Sequence, residues 1–175
     1  MLIGITGLMG SGKTTLCNLL LQKDNSITYI DVDKFRHDLF NNKDYINELS
    51  NNLNKEIITY KDLNYIIYNN NNCMNIYKNI LYKYLFNYLN KISEKLVIVE
   101  WALIIQDNLI EKFDKLIIVN TSIDDILKRN TFNDLSTDDV KLRLNLQLRN
   151  YNIKNINISY TIHKNIDDTY KFIMK

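Results

Sequence analysis

Gly7, Gly12, Lys13 and Thr14 stand in the order G-x-x-x-x-G-K-[ST] within the stretch "GITGLMGSGKTTL". Residues in that order hold a chain of phosphates. Backbone N–H groups along Gly7, Leu8, Met9, Gly10, Ser11, Gly12, Lys13, Thr14 and Thr15 can wrap around phosphate oxygens, and the glycines permit the close approach. A helix beginning at Lys13 adds roughly half a positive charge aimed at the anion. The Lys13 ammonium reaches the β- and γ-phosphates, and the Thr14 hydroxyl is a ligand for Mg²⁺. The loop therefore specifies a nucleoside triphosphate with Mg²⁺. A guanine-reading NKxD motif is missing, because "LIIV" is followed by "NTSIDD"; ATP is the expected nucleotide.

A receiving group needs other residues. "YIDVDKF" puts Asp31 and Asp33 two apart, so along an extended strand they share one face. In an open α/β sheet the carboxyl ends of the strands border the ligand crevice. A carboxylate there can accept the proton of an acceptor hydroxyl, with Asp33 as base and Asp31 as its support. The bland alternative is that Asp33 caps the helix starting near residue 34. Glu100 closes the apolar run "VIVE" and has several readings: it holds a Mg²⁺-bound water, assists the acceptor, or pairs with Lys13 or an arginine. His37 either meets acceptor phosphates or is a surface histidine. "KRNTFNDLS", about 128–136, reads as a lid whose Arg129 swings onto the transferred phosphoryl. Arg143 is expected to join Arg129 in neutralising the moving charge, and with Gln147 one helical turn on it can address one ligand.

These groups have to be positioned by alternating strands and helices. "LIGIT" reads as a buried strand and "KTTLCNLLLQK" as a helix. "ITYIDVD", "KLVIVEWALI", "DKLIIVNTS" and "ISYTIHKN" supply four further strands. "SIDDILKRN" and "STDDVKLRLNLQLRNY" are helices opened by a serine and acids, and a last helix covers about 166–173. The pattern predicts a parallel five-stranded sheet in three α/β/α layers. A helix-rich insertion occupies about 42–92, where Tyr, Leu and Phe of "YKNILYKYLFNYLNKI" recur at helical spacing. "NNNNCMN", 69–75, is expected to be a loop.

Composition limits the partners. At 175 residues the chain is one domain, and a net charge of +2 argues against a nucleic-acid-binding protein. Cys17 and Cys73 lack a CxxC partner and suit a reducing compartment. Without a membrane-length apolar run, the expectation is a soluble cytoplasmic protein, a monomer or weak homo-oligomer.

"IGITGLMGSGKTTL" followed by "YIDVDKFRHDLF" resembles the opening of the dephospho-coenzyme A kinases. The similarity continues through "KLVIVEWALI", "LSTDDVKLRLNLQ" with its R-x-x-x-Q, and "ISYTIHKN". The family's His-Pro pair is replaced within "NCMNIYKNIL", and its Pro-Leu-Leu by Ala102, Leu103 and Ile104. The resemblance implies a P-loop kinase fold with an acceptor-binding insertion and a small lid. It implies transfer of the ATP γ-phosphoryl to the ribose 3′-hydroxyl of dephospho-coenzyme A, with Asp33 as the catalytic acid. It also sets His163 and Asn165 at a loop edging the adenine. Two other readings stay open: a nucleoside or nucleotide kinase, and a non-catalytic ATP-binding regulator.

Overall fold

The computed structural model describes residues 1–57, 59–129, 136–149, 151 and 165–175, and residues 160–162 by their backbone. Two compact units emerge: Met1–Ile30 together with Glu94–Lys175, and Asp31–Ser93. The insertion expected over about 42–92 falls inside the second. Strands are β1 (Leu2–Thr6), β2 (Thr28–Asp31), β3 (Val97–Glu100), β4 (Lys115–Ile118) and β5 (Tyr160–Ile162). Helices are α1 (Lys13–Lys23), α2 (Val32–Asp38), α3 (Lys43–Leu53), α4 (Tyr60–Tyr68), α5 (Asn71–Leu89), α6 (Ile123–Arg129), α7 (Thr137–Arg149) and α8 (Ile166–Met174).

The sheet runs β2-β3-β1-β4-β5. β1 pairs in parallel with β3 and β4, and β4 with β5. β1 is central, so whatever follows it leaves from the middle of the sheet. Its residues Ile3 to Thr6 are all buried, as a strand covered on both faces requires. Ile3 and Ile5 pack with Leu16, Cys17 and Leu20 of α1 and Ile173 of α8. A second cluster joins Leu8 to Ile126 of α6 and to Val140 and Leu144 of α7.

The expected serine caps form. Ser122 Oγ accepts from the Asp125 amide at 3.1 Å and donates to Asp125 Oδ2 at 2.6 Å. Ser136 and Asp139 repeat the arrangement at the start of α7. Among the described residues, no helix is long and apolar enough to cross a membrane.

The helical unit has its own core, in which Tyr45, Leu49 and Leu63 are fully buried beside Ile67, Tyr77 and Leu81. Tyr45 and Tyr77 pack on helix faces, whereas Tyr65 and Tyr68 are exposed. One expectation is corrected here: residues 69–75 are not a loop. Asn70 caps α5, accepting from the amides of Asn72 and Cys73, and the helix is under way at Asn71. A run of asparagines hides a helix start because Asn caps well and propagates poorly.

Candidate active site

The central strand delivers the loop and α1 takes it up. Gly12 is the residue before α1 and lies in the left-handed region at φ 99°, where a side chain is strained. At Gly7 a Cβ would come within 2.6 Å of the Val119 carbonyl oxygen and 2.8 Å of Ser11 Oγ. Glycine there lets the loop pass against the exit of β4.

Several groups bind the loop in place. Lys13 Nζ donates to the carbonyl oxygens of Gly7 at 3.3 Å and Leu8 at 3.1 Å. The Ser11 carbonyl accepts from Thr121 Oγ1 at 2.8 Å and from Arg129 Nη1 at 3.3 Å. The Met9 amide donates to Gln147 Oε1 at 2.9 Å, while Leu8 is anchored in the α6–α7 cluster. Ser11 Oγ is buried without a hydrogen-bond partner among the described residues, a costly state that a phosphate oxygen would relieve. The first-turn amides of α1 lack intrahelical acceptors, as at any helix start, and complete an anion cradle.

Beside the cradle, Glu100 closes β3 and is only 8% exposed. Its Oε1 accepts from Thr14 Oγ1 at 2.7 Å, and its Oε2 accepts from Tyr29 Oη at 2.6 Å. The donor set is all oxygen, a hydroxyl beside a carboxylate. Mg²⁺ keeps most of its waters and takes one or two protein oxygens, so these residues fit it.

Lys13, Thr14, Glu100, Arg129 and Gln147 are thus brought to one loop. Gln147 holds the loop's backbone, a role its pairing with Arg143 did not suggest. Arg143 is exposed on α7, and Thr15 is exposed on α1. Asn165 is exposed and caps α8, accepting from the Asp168 amide at 2.9 Å. His163 and the lid residues 130–135 lie outside the described residues.

In the helical unit two expectations are corrected. β2 ends at Asp31, so Asp31 and Asp33 do not share a strand face; Asp33 is in the first turn of α2. The cap of that helix is Asp31, not Asp33. Asp31 Oδ1 accepts from the amides of Asp33 at 2.9 Å and Lys34 at 3.2 Å. A cap carboxylate ends a strand because it satisfies the amides that begin the helix. The Asp33 side chain is 72% exposed, 3.7 Å from the Arg36 guanidinium. Arg36 also donates to Tyr60 Oη, and the His37 ring lies 4.4 Å from the Tyr60 ring. An open pocket of about 600 Å³ in this unit is lined by Lys55, Glu56, Lys61, Asp62, Tyr65 and Ile66.

Two site residues escaped the sequence reading, Tyr29 and Thr121. Period-two spacing on β2 pairs Tyr29 with Asp31, a signal obscured by the pair Asp31 and Asp33. Thr121 follows β4 in "NTS", where a small polar residue after a strand is unremarkable by itself.

The fold has known counterparts. The family profile of dephospho-CoA kinase matches residues 1–159. The dephospho-CoA kinase of Fusobacterium nucleatum is 24% identical over 98% of this chain and 94% of its own length. Among solved structures, a Thermus thermophilus protein designated TT1252 superposes with a TM-score of 0.75 at 19% identity, covering 99% of this chain and 96% of that one. Dephospho-CoA kinase from Campylobacter jejuni superposes at 0.56 with 22% identity, covering 99% and 93%. These superpositions show a P-loop kinase fold, and the profile match shows more: the chain belongs to the dephospho-CoA kinase family.

Proposed function

We propose that this chain transfers the γ-phosphoryl of ATP to the ribose 3′-hydroxyl of dephospho-coenzyme A. One observation carries the reading: in a member of this family, Lys13, Arg129 and the Thr14–Glu100 pair gather at one phosphate loop. Phosphoryl transfer asks the protein chiefly for positioning and charge stabilisation. Lys13 donates to two neutral carbonyls, and exchanging these for phosphate oxygens gives charge-assisted bonds about twice as strong. Arg129 rests on the Ser11 carbonyl at the loop's edge, where its guanidinium can follow the moving charge. Mg²⁺, when bound at Thr14, would neutralise charge on the β- and γ-phosphates.

On the acceptor side, Asp33 takes the proton of the attacking hydroxyl. Its exposed carboxylate suits that work, and the Asp31 cap and Arg36 hold its turn of helix in place. The helical unit would hold the acceptor. The lining of its open pocket sets Lys55 and Lys61 beside Glu56 and Asp62, and Tyr65 and Ile66 suit an apolar arm. The segment about 128–136 would act as the lid.

The test is a coupled ADP-release assay with dephospho-coenzyme A beside a panel of nucleosides and nucleotides. ADP formation that depends on dephospho-coenzyme A, with coenzyme A recovered by mass spectrometry, is expected. Turnover with a nucleoside instead would replace the acceptor. Tight ATP binding without acceptor-dependent ADP release would favour an ATP-binding regulator.

A further inference from the structure

Thr14 has one proton and two lone pairs on its hydroxyl oxygen. In this structure the proton is committed, because Thr14 Oγ1 donates to Glu100 Oε1 at 2.7 Å. The lone pairs are therefore the part of the hydroxyl left for a hard cation. What Glu100 does, then, is aim Thr14. A carboxylate pivots about its own stem, so aiming requires that its second oxygen also be held. Tyr29 Oη holds it, donating to Glu100 Oε2 at 2.6 Å. Tyr29 is itself fixed, being on β2 and partly buried against the core that packs Ile5, Leu16 and Ile98.

We infer that Tyr29 is a positioning residue for the metal–nucleotide site, acting through Glu100 to orient the hydroxyl of Thr14. The inference rests on the reading of the loop as a Mg²⁺–ATP site and adds a residue that the phosphate-loop pattern does not contain. Tyr29 touches no reacting atom. Its effect is on how strongly the metal improves nucleotide binding, and on nothing that nucleotide alone can report. A phenol supporting a carboxylate that supports a metal ligand is an outer-shell contact. Removing such a contact typically weakens metal-dependent binding about tenfold or more.

The experiment measures ATP affinity by calorimetry, once with excess Mg²⁺ and once with EDTA, for the wild-type chain, Tyr29→Phe, Glu100→Gln and the double variant. Tyr29→Phe removes only the hydroxyl and keeps the ring that packs on the core. The expected result is a metal-dependent gain in affinity about tenfold smaller in Tyr29→Phe, with affinity in EDTA unchanged. Adding Tyr29→Phe to Glu100→Gln should change the gain little, because the tyrosine acts through that carboxylate. An unchanged gain in Tyr29→Phe, even with a lowered melting temperature, would overturn the inference and leave the phenol a purely structural group. Equal losses with and without metal would also overturn it, as would losses that multiply in the double variant. If the wild-type chain itself shows no metal-dependent gain, the failure belongs to the reading of the loop, and the inference falls with it.

Discussion

Around the phosphate loop, Lys13, Thr14, Tyr29, Thr121 and Arg129 each donate to a named acceptor at 2.6 to 3.3 Å. In the helical unit the Tyr45 hydroxyl and Arg36 Nε lie buried with no hydrogen-bond partner among the described residues. Aromatic edges join part of that core, Tyr45 meeting Tyr84 at 5.1 Å and Phe40 at 6.3 Å, both near perpendicular, while Lys83 Nζ ties α5 to α3 by donating to Glu48 Oε1 at 2.6 Å. The loop is built from backbone and short side chains, whose atoms have few places to go. The helical unit is built from large rings, which tolerate several arrangements. On the proposed reading the loop would hold three phosphates in register, which calls for the first kind of construction. On the same reading the helical unit would enclose a long acceptor, which the second kind allows. At the loop Ser11 Oγ is the exception, and its expected partner is a phosphate oxygen.

Breaking the loop should cost most. Lys13→Ala is expected to lower turnover by about a hundredfold to a thousandfold, the scale of losing one preorganised donor to transition-state charge. Steady-state kinetics at saturating ATP checks it, and a loss below tenfold would mean that the ammonium is not on the transferred group. Asp33→Asn comes next and probes the helical unit. Turnover should fall by about a hundredfold while ATP affinity is unchanged, since on the proposed reading the group serves the acceptor alone. Unchanged turnover would remove Asp33 from the chemistry. Arg129→Ala should cost about tenfold to a hundredfold, the worth of one hydrogen bond to a charged group. Arg129→Lys should recover only part of it, because an ammonium lacks the planar fork.

The same contrast explains what could be read from the residues. β1, the loop and α1 were legible because glycines at fixed spacing have one use beside a strand and a helix, and the observed elements start where that use requires. The serine-capped helices α6 and α7 were legible for a similar reason, since a capping side chain states the helix start directly. Asp33 was misplaced because alternation was carried one residue pair too far. Val32 is fully buried, and the period-two pattern runs on through it although the backbone has already turned helical. Tyr29 and Thr121 were invisible because what matters is a partner far along the chain: Glu100 is 71 residues from Tyr29, and Ser11 is 110 from Thr121. Arg36 and its tyrosines carry no motif either. Their contacts depend on how helices α2 to α5 pack, which no local spacing encodes.

Tyr45 offers the smallest effect and the sharpest separation of the two kinds of construction. Burial pushes its phenol well above the ordinary tyrosine range, and the nearby Tyr77 phenol pushes it further, while the Arg36 guanidinium opposes this. Burial raises Tyr60 and Tyr77 as well. A phenol raised on folding keeps its proton in the folded chain after the unfolded chain has lost it. Its contribution is therefore fully present below the unfolded value of about 10 and is lost as pH climbs toward the folded one. Stability should thus be flat near neutrality and fall on the alkaline side. Each raised phenol adds up to about 1.4 kcal/mol per pH unit to the slope. Tyr45→Phe keeps the ring and removes a hydroxyl that is buried without a partner among the described residues. At neutral pH it should leave stability unchanged or raise it by less than about 1 kcal/mol, since no hydrogen bond is lost. Above pH about 10 the decline should be shallower by one proton's worth. Urea unfolding at neutral and alkaline pH measures both. A loss above about 2 kcal/mol at neutral pH would mean that the hydroxyl has a partner, and that the helical unit is tied as tightly as the phosphate loop.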